Sequence, residues 1–165
     1  MRIAIVMLLL GLLPSYGFAE DAHDKNIATI RFLTALQQPG GGFAGGPKDP
    51  KASLHATIAA VRALHYLTGK KAFDAVPNGT KTAAFVISCY DPKAGIFADT
   101  PAGKQTSVAL TSIGIMVAID LDIPREKYRK AIDYLKEHAK TFEEVRIAAA
   151  AVEAWGVKDC PFDLK

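Results

Sequence analysis

Apolar residues at Ile27, Ile30, Leu33 and Leu36 recur at a three-residue step close to the helical period. They predict an amphipathic helix over Asp24 to Gln37, ended by Pro39 and the glycines that follow. Ser53 is a good N-cap for the next segment, Leu54 to Leu67, which is apolar almost all round and interrupted chiefly by Arg62, His55 and His65. A helix without a polar face is a buried helix. The same pair then recurs: Thr82 to Tyr90 is amphipathic, a loop carries Gly95 and Phe97, and Thr106 to Leu121 is again almost wholly apolar.

Offsets make the repetition explicit. Phe32 and Phe85 are 53 apart, while Phe43 and Phe97, Ser53 and Ser107, and Thr57 and Thr111 are each 54 apart. A period of this length marks a repeat architecture. A third pair is weaker. Pro124 stands where a first helical turn begins, Arg125 to His138 follows with Tyr128, Ile132 and Leu135 on its apolar face, and Thr141 caps Phe142 to Trp155. No segment alternates apolar and polar residues for the length of a strand, so the expected class is all-α. The repeats fall at about 24–69, 79–121 and 124–156. Half-apolar and wholly apolar helices in alternation imply two layers, with the apolar ones stacked inside.

The N-terminus reads differently. Arg2, the apolar run Ile3 to Leu13, and the small residues Gly17 and Ala19 ahead of Glu20 have the form of a secretory signal peptide over residues 1–19. The alternative is an uncleaved anchor, although the run falls short of the roughly 20 apolar residues a span needs. The expected mature chain, residues 20–165, would be periplasmic or extracellular and carries no integral membrane span. Removing Arg2 from 20 basic residues leaves 19 against 17 acidic ones, without a basic stripe, which argues against a nucleic-acid partner. Two cysteines remain, Cys89 and Cys160; an exported protein could join them in one disulfide, and two separate structural thiols are the alternative.

The loop Gln37-Gln38-Pro39-Gly40-Gly41-Gly42-Phe43-Ala44-Gly45-Gly46-Pro47 lacks the Lys-Ser/Thr pair and the strand-to-helix context of a phosphate cradle. A tight turn with Phe43 as its apolar anchor explains it better. An amphipathic helix, then Gly-Gly-Phe-Ala-Gly-Gly-Pro, then Ser-Leu-His-Ala-Thr-Ile-Ala-Ala-Val-Arg-Ala-Leu resembles a repeat of the prenyltransferase and squalene oxidase repeat family, the α/α toroid group. Phe85 to Asp91 followed by Gly95-Ile96-Phe97 resembles its second copy, and the likeness covers Ile27 to Leu121.

The resemblance implies an α/α toroid-like array, here an open arc, because a closed family ring needs more helical pairs than three. It also directs attention to residues that would carry family chemistry. The prenyltransferase zinc set has an Asp two residues before a Cys, but Ile87 and Lys158 stand there. Ser53 and Ser107 replace the histidine expected four residues before Thr57 and Thr111. Asp120-Leu121-Asp122 only partly echoes the cyclase Asp-x-Asp-Asp, and the thioester Cys-Gly-Glu-Gln is absent. His55 reads as a helix N-terminal histidine rather than a ligand, since one histidine is not a metal site. Asn78-Gly79-Thr80 reads as a turn before a glycosylation sequon.

The function expected on these grounds is an exported, non-catalytic helical-repeat domain. It would bind a protein, a peptide or an isoprenoid-like apolar ligand at the glycine-loop end, through Phe43, His55, Phe97 and Asp99, or on the open face, with no cofactor. Self-association or a protein partner would cover the open edge. One alternative is a prenyltransferase-like or cyclase-like enzyme completed by a second chain, the only reading that calls for zinc. Another is a structural subunit of an envelope or secretory complex.

Overall fold

The computed structural model describes residues 17–156 and Phe162, with side chains from residue 24 onward. Among these residues lie seven α-helices: α1 (Gly17–Ala35), α2 (Leu54–Thr68), α3 (Ala72–Ala75), α4 (Gly79–Ser88), α5 (Val108–Asp120), α6 (Lys130–His138) and α7 (Phe142–Trp155). Four short strands complete the set: β1 (Phe43–Gly46), β2 (Asp49–Ser53), β3 (Tyr90–Asp91) and β4 (Ile96–Phe97). The molecule is mostly helical, and the strands form two separate antiparallel ribbons, β1 with β2 and β3 with β4, inside the two glycine loops.

The two-layer arrangement follows from burial. Helix α5 buries nine of its 13 residues and packs against both α2 and α7. A helix this apolar gains stability only when neighbours surround it. Outer helices α4 and α6 pack on α5, and α1 packs on α2. Ser53 caps α2 as expected, and Ser107, which the expected helix from Thr106 placed inside it, caps α5: their hydroxyls accept the Ala56 and Leu110 amides, each at 3.1 Å. Asn78, in the turn expected before α4, accepts the Lys81 amide at 3.0 Å. Thr141 and Glu144 form a reciprocal capping box on α7.

The 54-residue period is realised bond for bond. The buried Phe43 amide donates to Thr57 Oγ1 at 3.0 Å, and its counterpart Phe97 donates to Thr111 Oγ1 at 3.3 Å. Gly41 and Gly95, also 54 apart, have φ of +93° and +72°. A Cβ on Gly41 would lie 2.2 Å from the Lys81 carbonyl carbon of α4, and one on Gly95 2.9 Å from the Lys130 oxygen of α6. Each loop therefore turns through a left-handed glycine pressed against the next outer helix, which answers why glycine stands there. Gln37 binds the first loop to α4 by donating to Thr82 Oγ1 at 2.8 Å.

Three details differ from the sequence expectation. The ribbons and α3 were not foreseen, because pieces of two to five residues carry no usable periodicity. The third pair does not begin as an α-helix at Pro124: Arg125–Tyr128 is a 3-10 turn, and α6 starts at Lys130. The tighter turn brings the Tyr128 hydroxyl to the Ile123 carbonyl at 3.3 Å while burying the ring. Phe32 and Phe85 share the period without sharing an environment, since Phe32 is 53% exposed and Phe85 is buried beneath Gly42.

Thr57→Val and Thr111→Val should each destabilise by about 1–3 kcal/mol, by leaving a buried amide unpaired. Phe43→Ala should remove about 3–5 kcal/mol. Urea midpoints measure all three, and a wild-type midpoint for Phe43→Ala would show that the ring does not anchor the loop.

Candidate functional site

Of the four residues singled out at the glycine-loop end, Phe43 and Phe97 have no exposed surface. They anchor their loops; Phe97 touches Tyr90 at 4.8 Å and Tyr128 at 6.2 Å between ring centroids. His55 and Asp99 are brought together. The Asp99 carbonyl accepts the Leu54 amide at 2.7 Å, Asp99 Oδ1 accepts the His55 amide at 3.1 Å, and His55 Nδ1 lies 3.0 Å from the same oxygen. A carboxylate on a helix N-terminus satisfies free amides and meets the positive end of the helix dipole. Because a carboxylate only accepts, the proton of the ring resides on Nδ1. The His55 side chain is 58% exposed.

His55 begins a stripe. Residues 55, 59, 62 and 66 follow at helical spacing, which places His55, Ala59, Arg62 and Tyr66 along one side of α2. Arg62 Nε donates to Asp120 Oδ2 of α5 at 2.9 Å. This pair bounds a cleft of about 420 Å³ lined also by His65, Tyr66, Lys71 and Asp122. Tyr66 is 78% exposed, and His65 is engaged at Nδ1 by the Lys70 carbonyl, 2.5 Å away. The sequence did mark Arg62 as the charged interruption of a buried helix. Its partner, 58 residues away, could not be inferred from local pattern.

Cys89 is buried beside the second loop, and Cys160 lies outside the described residues, as therefore does the bridge considered between them. Burial, with the Asp99 carboxylate nearby, pushes the Cys89 thiol up to about 12, and the bond from Ser88 offsets this in part. Such a thiol stays protonated and is a poor nucleophile. Among the described residues no three His, Cys, Asp or Glu side chains gather around one metal position, and no helix is long and apolar enough to cross a membrane.

An array of helical pairs with buried inner helices, joined by glycine loops and carrying its polar groups along one inner helix, defines an α/α toroid-type repeat protein. The family comparison agrees: the prenyltransferase α/α toroid domain family matches residues 2–155 of the 165, so the chain belongs to that family. The match includes the third helical pair, beyond the first two repeats that carry the visible motif. No curated protein matches the chain.

Asp99→Ala should lower stability by about 1 kcal/mol, as loss of a helix cap does, and, with the backbone carbonyl still holding the Leu54 amide, speed hydrogen exchange at the His55 amide. Unaltered exchange there would show that the carboxylate does not hold α2. A second expectation concerns alkali. Burial raises Cys89 from its ordinary 9.0 to about 12 and Tyr128 from 10.0 to about 12. The unfolded chain therefore releases these protons first as pH rises. The associated stability should be complete below about pH 9 and vanish towards about pH 12, and urea midpoints across that range would show the decline.

Proposed function

We propose that the chain is an exported, non-catalytic helical-repeat binding domain that receives a peptide or protein segment along the exposed stripe of α2. The observation that carries this reading is Tyr66, whose ring is 78% exposed on an inner helix, one turn from Arg62 and its partner Asp120. Tyrosine and arginine are the residue types that most often supply binding energy at protein interfaces. Asp120, Asp122, Arg62 and Lys71 around the cleft offer both signs of charge, which suits the main-chain and side-chain groups of a peptide. Export is supported by Arg2, the apolar run Ile3 to Leu13, and the small residues Gly17 and Ala19.

A second reading has one observation in its favour. His55 is held by a carboxylate at Nδ1, the orientation common among histidines that bind metal or move protons. Under it, the chain is part of a prenyltransferase-like enzyme completed by another chain, and zinc would be shared between the two.

Panning a displayed peptide library against the full chain tests the first reading. Enriched peptides should bind Tyr66→Ala at least tenfold more weakly, about 1.4 kcal/mol, and Lys93→Ala as well as wild type. Incubation with an isoprenoid diphosphate, zinc and magnesium should give no product, and turnover would overturn the non-catalytic assignment.

A further inference from the structure

We propose that copies of this chain associate by seating Phe142 of one in an apolar cavity beside α4 of another. The cavity encloses about 600 Å³ between α4 and the turn that follows α5. Its walls are Phe73, Ala84, Ile87, Leu121, Ile123 and Pro124. That volume and a predominantly apolar lining, with Thr80, Ser88, Asp122 and Lys127 as its polar members, suit a site that accepts a ring. It shares only Asp122 with the cleft beside α2, and the proposal does not depend on the peptide-binding reading.

The occupant is indicated by the same chain. Phe142, the first residue of α7, is 76% exposed, and it is not among the residues lining the cavity. Charge supports the pairing. Beside the ring, Glu143 and Arg146 bond to each other at 2.8 Å, while Asp122 and Lys127 belong to the lining of the cavity. Glu144 is engaged by the Lys140 and Thr141 amides, while Glu143 has an opposite charge at the hole in Lys127 and Arg146 has one in Asp122, a pairing that favours one orientation. Knob and hole occupy different elements, so the contact forms either a reciprocal pair or a head-to-tail series.

Light scattering of the full chain over a concentration series tests this with two variants that leave the core untouched. Phe142→Asp removes the knob at a helix start where an acidic residue is welcome, and Ala84→Arg blocks the hole from an exposed position. Wild type should associate, and each variant alone should weaken association at least tenfold. An equimolar mixture of the two should recover it, because one retains the knob and the other the hole. Lys127→Glu should weaken association and Glu143→Lys in the same chain restore it. A wild type that stays monomeric up to millimolar concentration would overturn the proposal. So would Ala84→Arg associating as wild type does, which would mean that Phe142 meets some other surface.

Discussion

The backbone amide of a buried phenylalanine must find an acceptor, and in this fold the acceptor is a threonine on the inner helix. Phe43 and Thr57, then Phe97 and Thr111, repeat the arrangement with the same 14-residue separation. The loop can bring its ring under the helix ends only by turning back sharply, and the ring is worth burying only if its amide is not stranded. Glycine supplies the turn and the threonine supplies the acceptor. Once both are present, the loop becomes a rigid joint that sets where the outer helix ends and where the inner helix begins.

A joint that serves two repeats also couples them. Asp99 belongs to the second loop, yet its carbonyl and carboxylate hold the first two amides of α2 in the first repeat. Gly41 of the first loop lies against the backbone of α4 in the second. Stability in such an array is shared between each unit and its interface with the next, and here named backbone contacts carry part of that interface. The exposed stripe of α2 is consequently presented by a helix fixed at its N-terminus by Asp99 and at its middle by the Arg62–Asp120 pair.

The chain discloses its repeats because they depend on local chemistry. Phe43, Phe97, Thr57, Thr111, Ser53 and Ser107 stand at constant offsets, and the caps and buried helices can be read from periodicity alone. The ribbons could not be read this way, since β3 and β4 have two residues each and owe their pairing to the turn between them. The polar contacts of the candidate site were illegible for another reason. His55 meets Asp99 across 44 residues and Arg62 meets Asp120 across 58, so each pair exists only after the inner helices have packed side by side. Asp120 offers, in sequence, only a partial echo of an Asp-x-Asp-Asp cluster, because its helix gives no hint of what lies opposite.

The third pair shows what replaces a glycine loop when the chain lacks one. Helix α7 is started by its own capping box, in which the Glu144 carboxylate accepts the amides of Lys140 and Thr141, bonds that hold its carboxyl below the ordinary 4.5. Besides the packing of α7 on α5, rings tie it to the second loop: Phe97 meets Tyr128 edge-on, Tyr128 meets Trp155 at 5.3 Å, and the Arg125 guanidinium lies 5.4 Å from the Trp155 ring centre. An aromatic ladder depends on shape and area more than on backbone direction. It can therefore hold the C-terminal end of α7 against the turn before α6 and the second loop without dictating how α7 begins. That freedom explains why Phe142 stands clear of the core at the start of α7, on the one inner helix that no glycine loop restrains.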